Sequence, residues 1–112
     1  MSKGKKALRY NEGKAAMGYL PLDLLDGAAR VMEYGAKKYS PGNYRGMYDD
    51  PLSPLHSLIR HVSALQRAME CEDKEGEEGF LYDEESGLAH VHHVLTSTLI
   101  LIQSMRNHGY KV

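Results

Sequence analysis

Residues 53–71 read SPLHSLIRHVSALQRAMEC, and this stretch decides the fold class. Ser53 and Pro54 are typical of a helix start, as the N-cap and the first helical residue. Apolar side chains then recur at the spacing of one helical face. They are Leu55, Leu58, Ile59, Val62, Leu65 and Met69. The stretch therefore predicts an amphipathic helix that ends near Cys71.

Two more helices are predicted around this one. Apolar residues at helical spacing indicate a helix over about residues 22–38, in which Gly35 is expected to end or bend the helix or to admit a close partner. A third helix is expected to be capped by Ser86 and stopped at Gly109. Its predicted apolar face consists of Leu88, Val91, Leu95, Leu99 and Ile102. Residues 72–79 are acidic and contain glycine, which favours a solvated loop.

No alternation of period two persists anywhere, so the sequence predicts an all-α chain. We expect residues 1–112 to form one domain, a compact bundle of three or more helices, with residues 1–19 as an N-terminal arm. A chain of 112 residues buries a small core. Completion of the bundle by self-association, as a homodimer or homotetramer, is therefore expected.

Charge and cysteine content narrow the function classes. The formal net charge is −1, from 14 basic and 15 acidic side chains, and non-specific nucleic-acid binding requires a basic surface. The lone Cys71 excludes an internal disulfide and a cysteine-based zinc site. No signal-peptide pattern or apolar run of about 20 residues is present. We expect no membrane or direct nucleic-acid partner and a cytoplasmic location.

Acidic and histidine side chains concentrate before and within the third helix. Asp83, Glu84 and Glu85 precede it, and His90 and His93 lie on the side opposite its apolar face. They are either surface residues or ligands of a metal site. Carboxylates suit Mg²⁺ or Mn²⁺, and imidazole makes Mn²⁺ more acceptable. His92 falls on the apolar face, so it is interpreted as a packed or partner-facing histidine.

Cationic and aromatic side chains mark a second region. Residues 33–45 read EYGAKKYSPGNYR, in which lysines could hold phosphates, tyrosines could stack on a base and Asn43 could read a base edge. A solvated helix end is the other interpretation, because lysines there complement the helix dipole. Arg60 and His61 could contact phosphate or could extend from the core edge to solvent.

Several segments together resemble a known family. They are residues 9–14 (RYNEGK), 20–21 (LP), 34–39 (YGAKKY), 43–44 (NY), 60–61 (RH) and 83–93 (DEESGLAHVHH). In this order and spacing they resemble the phage and bacterial dATP/dGTP diphosphohydrolases, a group that includes the MazZ proteins and is related to the MazG-like all-α pyrophosphohydrolases. Tyr44 stands where that family usually has tryptophan. The E-x-x-E and E-x-x-D pairs of the MazG relatives are not intact in this chain.

The resemblance implies hydrolysis of purine deoxynucleoside triphosphates, dGTP or dATP, to the monophosphate and pyrophosphate. It also implies Mg²⁺ or Mn²⁺ held inside a helical bundle, and it allows a role in phage modified-purine DNA synthesis. Asp83 and Glu85 are expected to be catalytic. The expected metal ligands are Asp83, Glu85 and His90, followed by Asp26, Glu33 and His61. The expected substrate-binding residues are Lys14, Lys37, Lys38, Asn43, Tyr44, Arg60 and His93.

Other functions fit part of the pattern. A nucleotide-binding regulator without turnover would need the cations and aromatics but not the carboxylates. A small helical interaction protein, such as a phage accessory factor, would carry the same histidines and charges as surface groups. A hydrolase that releases triphosphate normally uses a His-Asp pair, and no His-Asp dipeptide occurs in this chain.

Overall fold

The computed structural model describes residues 13–43, 45 and 50–112. Within these residues four longer α-helices follow one another: α1 Asp26–Lys38, α2 Leu52–Glu70, α3 Lys74–Leu81 and α4 His90–Asn107. Two short 3₁₀ helices, Met17–Tyr19 and Leu22–Leu25, precede α1. Among the described residues, β-type pairing is limited to one isolated bridge between Tyr82 and Ala89. The all-α bundle predicted from the sequence is confirmed.

The first predicted helix is present but begins with a tighter turn. The 3₁₀ turn Leu22–Leu25 runs directly into α1. Asp26, in the first turn of α1, forms an ion pair with Arg30 at 2.9 Å between Oδ2 and Nε. Gly35 lies within α1 and does not end it, because the helix continues to Lys38. Lys37 and Lys38 occupy the last turn, where cations complement the helix dipole.

The central helix α2 begins two residues earlier than the sequence predicts, at Leu52 rather than Pro54. Ser53 is not its N-cap, because the helix already includes Leu52. Pro51 is the N-cap, and the carboxylate of Asp50 just before it accepts a hydrogen bond from the Leu52 backbone N–H at 3.0 Å. Pro54 is buried in the first turn. The helix ends at Glu70, next to the predicted end at Cys71.

The predicted loop over residues 72–79 is wrong, because Lys74–Leu81 forms α3. Asp73 caps this helix, and its side chain accepts a hydrogen bond from the Gly76 N–H at 3.2 Å. Glu75 and Glu77 stand in the first turn, where negative charge is favourable. The helix packs against α2. Capping and packing therefore outweigh the two glycines and the shortage of apolar residues that suggested a loop.

The third predicted helix, α4, begins at His90, and Ser86 is not its cap. Residues 82–89 form a tight turn instead, closed by hydrogen bonds from the Asp83 N–H to the Leu88 carbonyl (2.9 Å) and from the Gly87 N–H to the Asp83 carbonyl (2.8 Å). Gly87 has a φ of 73°, a conformation that favours glycine. At the other end, Gly109 (φ 94°) follows the helix and confirms the predicted stop.

Helix α4 packs against both α1 and α2, and small side chains line these contacts. The buried hydrophobic residues of the described chain are Ala28, Val31 and Ala68. Three buried polar residues, Thr96, Ser97 and Ser104, lie on α4. The Ser97 hydroxyl lies 3.4 Å from that of Ser57 on α2. Small residues allow the helix backbones to approach closely, so this seam fixes the relation between α2 and α4.

Much of the predicted apolar face of α4 remains exposed in the single chain. Val91, Leu99 and Ile102 are 47, 42 and 36% exposed. On α2, Ile59 and Met69 of the predicted apolar stripe are 54 and 64% exposed. Within the single chain, close packing of small polar residues against α1 and α2 replaces burial of these larger side chains.

His92 packs where its sequence position indicated. A Cβ atom added at Gly27 of α1 would lie only 2.1 Å from His92 Nδ1. The imidazole therefore occupies the space that a side chain at Gly27 would need. This contact sets the distance between α1 and α4. As for membranes, none of the helices in the described residues is long and apolar enough to span one.

Candidate metal and nucleotide site

Three side chains from separate parts of the chain converge beside the α2–α4 seam. His61 lies in the middle of α2, His90 is the first residue of α4, and Asp83 lies in the turn before α4. The Nδ1 atoms of His61 and His90 are 2.8 Å apart. One potential ligand atom from each of the three residues lies within 4.8 Å of the others. All three are partly buried. We refer to them as the His61–Asp83–His90 cluster.

The turn at residues 82–89 holds the Asp83 carboxylate in place. Its Oδ2 atom accepts hydrogen bonds from the Ser86 backbone N–H at 2.8 Å and from the Ser86 hydroxyl at 2.9 Å. The Ser86 hydroxyl oxygen also accepts a hydrogen bond from the Leu88 N–H at 3.1 Å. Aspartate and serine at this spacing stabilise turns through such side-chain to backbone bonds. The carboxylate is therefore oriented before any ligand binds.

His93 supports the cluster from one side. It lies one helical turn after His90, and its ring stacks on His61 with centroids 4.4 Å apart and an interplanar angle of 11°. Its Nε2 atom is 2.7 Å from the Ser86 hydroxyl and 3.8 Å from Asp83 Oδ2. His93 thus contacts His61 of the cluster and also Ser86, which is hydrogen-bonded to Asp83.

The surroundings of these groups set their protonation. Burial, with His93 and His90 nearby, lowers the pKa of His61 to about 4. Burial also lowers the pKa of His93, despite the opposing effect of Asp83. Burial alone would raise the pKa of Asp83, but the two Ser86 hydrogen bonds and the adjacent imidazoles leave its pKa lowered. Near pH 7 the His61 and His93 rings are therefore neutral and the Asp83 carboxylate is ionised, and neutral imidazole and carboxylate are the forms that bind metal ions.

Glu85 lies in the same turn but is directed toward α1. Its Oε1 atom accepts a hydrogen bond from the Lys38 ammonium at 2.9 Å, across 47 residues of sequence. The Lys38 bond and a second hydrogen bond from Tyr34 hold the pKa of Glu85 below its usual range. Glu85 also raises the pKa of both partners. The carboxylate is thus engaged by α1 and is not among the groups that face His61 and His90.

A cleft runs beside the cluster between α1, α2 and the turn, with a volume of about 1370 Å³. Ligand pockets usually measure about 300–1,000 Å³, so this cleft is wide and open. Lys38 and Arg60 provide cations, and Tyr34 and Tyr39 provide aromatic rings. Asn43 supplies an amide. The His61 and Asp83 side chains line the same cleft. Cations, aromatics and the candidate metal ligands therefore share one space.

The remaining predicted site residues lie in several places. Glu33 lines the cleft, whereas Asp26 is exposed and paired with Arg30. Lys14 and Lys37 are exposed and do not line the cleft in the described structure. The prediction for Tyr44 lies outside the described residues. The structure thus brings together most of the predicted residues from 33 to 93 but not Lys14, Asp26 or Lys37.

The sequence did not predict the roles of two residues in the site, Ser86 and Tyr34. Ser86 was interpreted as a helix cap, although its spacing of three residues after Asp83 is also that of an Asx-type turn. Tyr34 was placed only within a general cationic and aromatic segment. Its bond to Glu85 depends on the approach of α1 to the turn, and no local sequence pattern reports that approach.

Comparison with known proteins gives a family for this fold and site. The family model described as dATP/dGTP diphosphohydrolase, N-terminal, matches residues 4–111. The chain belongs to this family. A curated relative with the name dATP/dGTP diphosphohydrolase, from Salmonella phage PMBT28, is 24% identical over 100 residues. That alignment covers 89% of this chain but 30% of the relative, so the chain spans less than a third of the relative's length. No solved structure matches the chain significantly.

Membership of the dATP/dGTP diphosphohydrolase N-terminal family confirms the resemblance expected from the sequence. The match covers every described residue except Val112, including the turn with Asp83 and the start of α4. The cluster and the cleft therefore both lie within the family region.

Proposed function

We propose that the protein hydrolyses purine deoxynucleoside triphosphates, dGTP or dATP, to the nucleoside monophosphate and pyrophosphate with a divalent metal ion. The observation that carries the proposal is the convergence of His61, Asp83 and His90 at the edge of a cleft with cationic and aromatic walls. Family membership and the name of the phage relative support the substrate class. The proposed domain is the whole of residues 1–112.

The cluster is the proposed metal site. Its three side chains supply two nitrogen donors and one carboxylate, a set that fits a divalent cation. A bound Mg²⁺ or Mn²⁺ would polarise the phosphate oxygens and lower the pKa of a water molecule. Ser86 holds the Asp83 carboxylate, and His93 holds the His61 ring by stacking. These contacts position the donors without a large rearrangement.

The cleft supplies the proposed substrate contacts. Arg60 forms no ion pair with any residue that the structure describes, and its guanidinium can bind a phosphate with two parallel hydrogen bonds. Tyr34 and Tyr39 offer rings for base stacking, and Asn43 offers an amide for a base edge. Each of these groups lines the same cleft.

Lys38 and Glu85 have a linked role in this proposal. Lys38 is held by Glu85 at 2.9 Å and lines the cleft. A triphosphate carries more negative charge than one carboxylate, so its arrival draws Lys38 away from Glu85. The released carboxylate is then available to accept a proton from the attacking water. Glu85 is therefore proposed as the proton acceptor and Asp83 as a metal ligand.

Self-association is part of the proposal. Large apolar side chains of α2 and α4 remain exposed, and the buried hydrophobic residues of the described chain are two alanines and one valine. Clustered apolar side chains that stay exposed are typical of an interaction face. We propose that a second copy covers it, in a homodimer or homotetramer. Light scattering after size-exclusion chromatography should give at least twice 12.6 kDa. A monomer at micromolar concentration would contradict this.

The activity is tested by chromatography of the products from a panel of dNTPs with Mg²⁺ or Mn²⁺. We expect dGMP or dAMP together with pyrophosphate. Asp83→Asn should reduce turnover at least about 100-fold, since it removes a charged metal ligand. Glu84→Gln is the matched control, because Glu84 is an exposed carboxylate in the same turn. Release of triphosphate would indicate a different hydrolase class, and no turnover with either metal would refute the proposal.

The same nucleotides, with variants of Arg60 and Asp83, distinguish the proposed enzyme from a nucleotide-binding regulator without turnover. It would bind dGTP or dATP in calorimetry, and binding would depend on Arg60 but not on Asp83. A helical interaction protein would bind neither nucleotide.

A further inference from the structure

We infer that the His61–Asp83–His90 cluster selects a transition-metal ion such as Mn²⁺, Co²⁺ or Zn²⁺ over Mg²⁺. This inference deepens the proposed function by naming the class of its metal. It can be tested by binding alone, so its failure is distinguishable from the absence of hydrolysis.

The donor set carries the first step. Two of the three donors are imidazoles and one is a carboxylate. Mg²⁺ prefers oxygen ligands and keeps most of its water, whereas imidazole suits transition metals such as Zn²⁺. Glu85 would add oxygen character, but Lys38 and Tyr34 hold it away from the cluster. Two nitrogens with a single carboxylate therefore favour a transition-metal ion.

The separation of the nitrogens carries the second step. His61 Nδ1 and His90 Nδ1 are 2.8 Å apart. Two imidazole ligands with metal–nitrogen bonds of about 2.0–2.1 Å lie about 3 Å apart when they occupy adjacent positions. The two nitrogens are thus already as close as two ligands of one ion. One is on α2 and the other on α4, and the two rings share a hydrogen bond, whose proton a bound metal ion would replace.

The hydrogen bonds of Ser86 orient the metal-binding side chains. Asp83 Oδ2 is occupied by the two Ser86 donors, and no described residue donates a hydrogen bond to the other oxygen. That second oxygen is therefore the one available to a metal ion. The Ser86 hydroxyl also lies 2.7 Å from His93 Nε2, and His93 stacks on His61. Ser86 is a positioning residue, because it orients one ligand directly and a second through His93.

The first experiment measures Mn²⁺ and Mg²⁺ binding by calorimetry on the full chain without nucleotide, together with pulsed EPR of the Mn²⁺ complex. We expect Mn²⁺ to bind about tenfold or more tightly than Mg²⁺. We also expect ¹⁴N couplings from directly bound imidazole. His90→Asn should remove part of these couplings, and His61→Gln should do so independently. His108→Asn is the matched control, because His108 stands roughly 27 Å away along α4.

The second experiment tests Ser86. Ser86→Ala should weaken Mn²⁺ binding about 10- to 100-fold while the ¹⁴N couplings persist, since both imidazoles remain. Ser86→Thr keeps the hydroxyl and should restore most of the affinity. Circular dichroism of each variant verifies that the helices are retained. A loss of stability alone would leave the affinity of the folded fraction unchanged and would contradict the positioning role.

The outcomes separate the two proposals. Equal affinity for Mg²⁺ and Mn²⁺, or Mn²⁺ bound without ¹⁴N coupling, overturns this inference even if dNTP hydrolysis is observed. Tight Mn²⁺ binding with ¹⁴N coupling supports it even if no dNTP is hydrolysed, and in that case only the proposed function fails.

Discussion

Substitution of Gly27 by alanine should destabilise the protein, although the same change usually strengthens a helix. A Cβ atom at Gly27 would lie 2.1–2.4 Å from three atoms of the His92 ring. The ring atoms nearest the backbone are among them, so a rotation of the side-chain tip cannot relieve the overlap. Overpacking of this kind costs about 1–3 kcal/mol, and an overlap this deep belongs at the upper end of that range.

The gain in helix propensity partly offsets this cost. Alanine is favoured over glycine in a helix interior by about 1 kcal/mol. The net result for Gly27→Ala is a loss of about 2 kcal/mol in the free energy of unfolding. Gly35→Ala is the matched control in the same helix, because a Cβ there meets no atom within 4 Å. It should gain about 0.5–1 kcal/mol.

Urea denaturation followed by circular dichroism measures both variants under identical conditions. The double variant Gly27→Ala with His92→Ala should recover most of the steric cost, since the overlapping ring is removed. Two results would refute the reasoning. One is a Gly27→Ala variant as stable as Gly35→Ala, and the other is a double variant no better than the sum of the single changes.

Three further predictions follow from the same structure. In metal-free protein with a chelator, His61 is neutral in both the folded and the unfolded state above pH 6.5, so the fold keeps its full stability there. As the pH falls from 6.5 toward 4, the unfolded state binds a proton at His61 that the folded state does not, and the free energy of unfolding should decrease. The difference between a pKa of 6.5 and one of about 4 corresponds to at most about 3.4 kcal/mol, which we discount to about 1–2 kcal/mol because the ring is partly exposed. A urea midpoint that depends on pH as strongly in His61→Gln as in the parent would contradict this prediction. Asp73→Ala should cost about 1 kcal/mol in thermal unfolding, whereas Lys74→Ala should change little. Lys38→Gln should raise the KM for dNTP more than it lowers kcat, and it should return the pKa of Glu85 toward its usual value, as measured by NMR titration.

The sequence predicted those parts of the fold that depend on local pattern. Apolar spacing in α2 and the stop at Gly109 are local, and both were confirmed. The position of His92 on the apolar side of α4 correctly indicated a packed side chain. Helix α3 was missed because its stability comes from the Asp73 cap and from packing on α2, and neither produces an apolar period.

The site was less predictable because it depends on how helices cross. His61 and His90 are 29 residues apart in sequence, and their contact requires the close approach of α2 and α4. Small residues such as Ser57 and Ser97 permit that approach, yet in the sequence they are typical of solvent-exposed positions. Likewise, the pairing of Glu85 with Lys38 depends on where α1 ends. Residue type indicated which groups could act, but their partners were set by tertiary packing.

The turn at residues 82–89 has a consequence for local unfolding. It carries Asp83 and Glu85 and leads directly into His90, so opening of these eight residues would remove a ligand, release Lys38 and free the start of α4 at once. Only a few backbone bonds, such as that from the Gly87 N–H to Asp83, close it. A metal ion that binds only the closed form at 100 times its Kd would oppose opening by about 2.7 kcal/mol. Amide hydrogen exchange at Ser86, Gly87 and Leu88 should therefore slow about 100-fold when metal is added, while exchange in the middle of α2 should change far less.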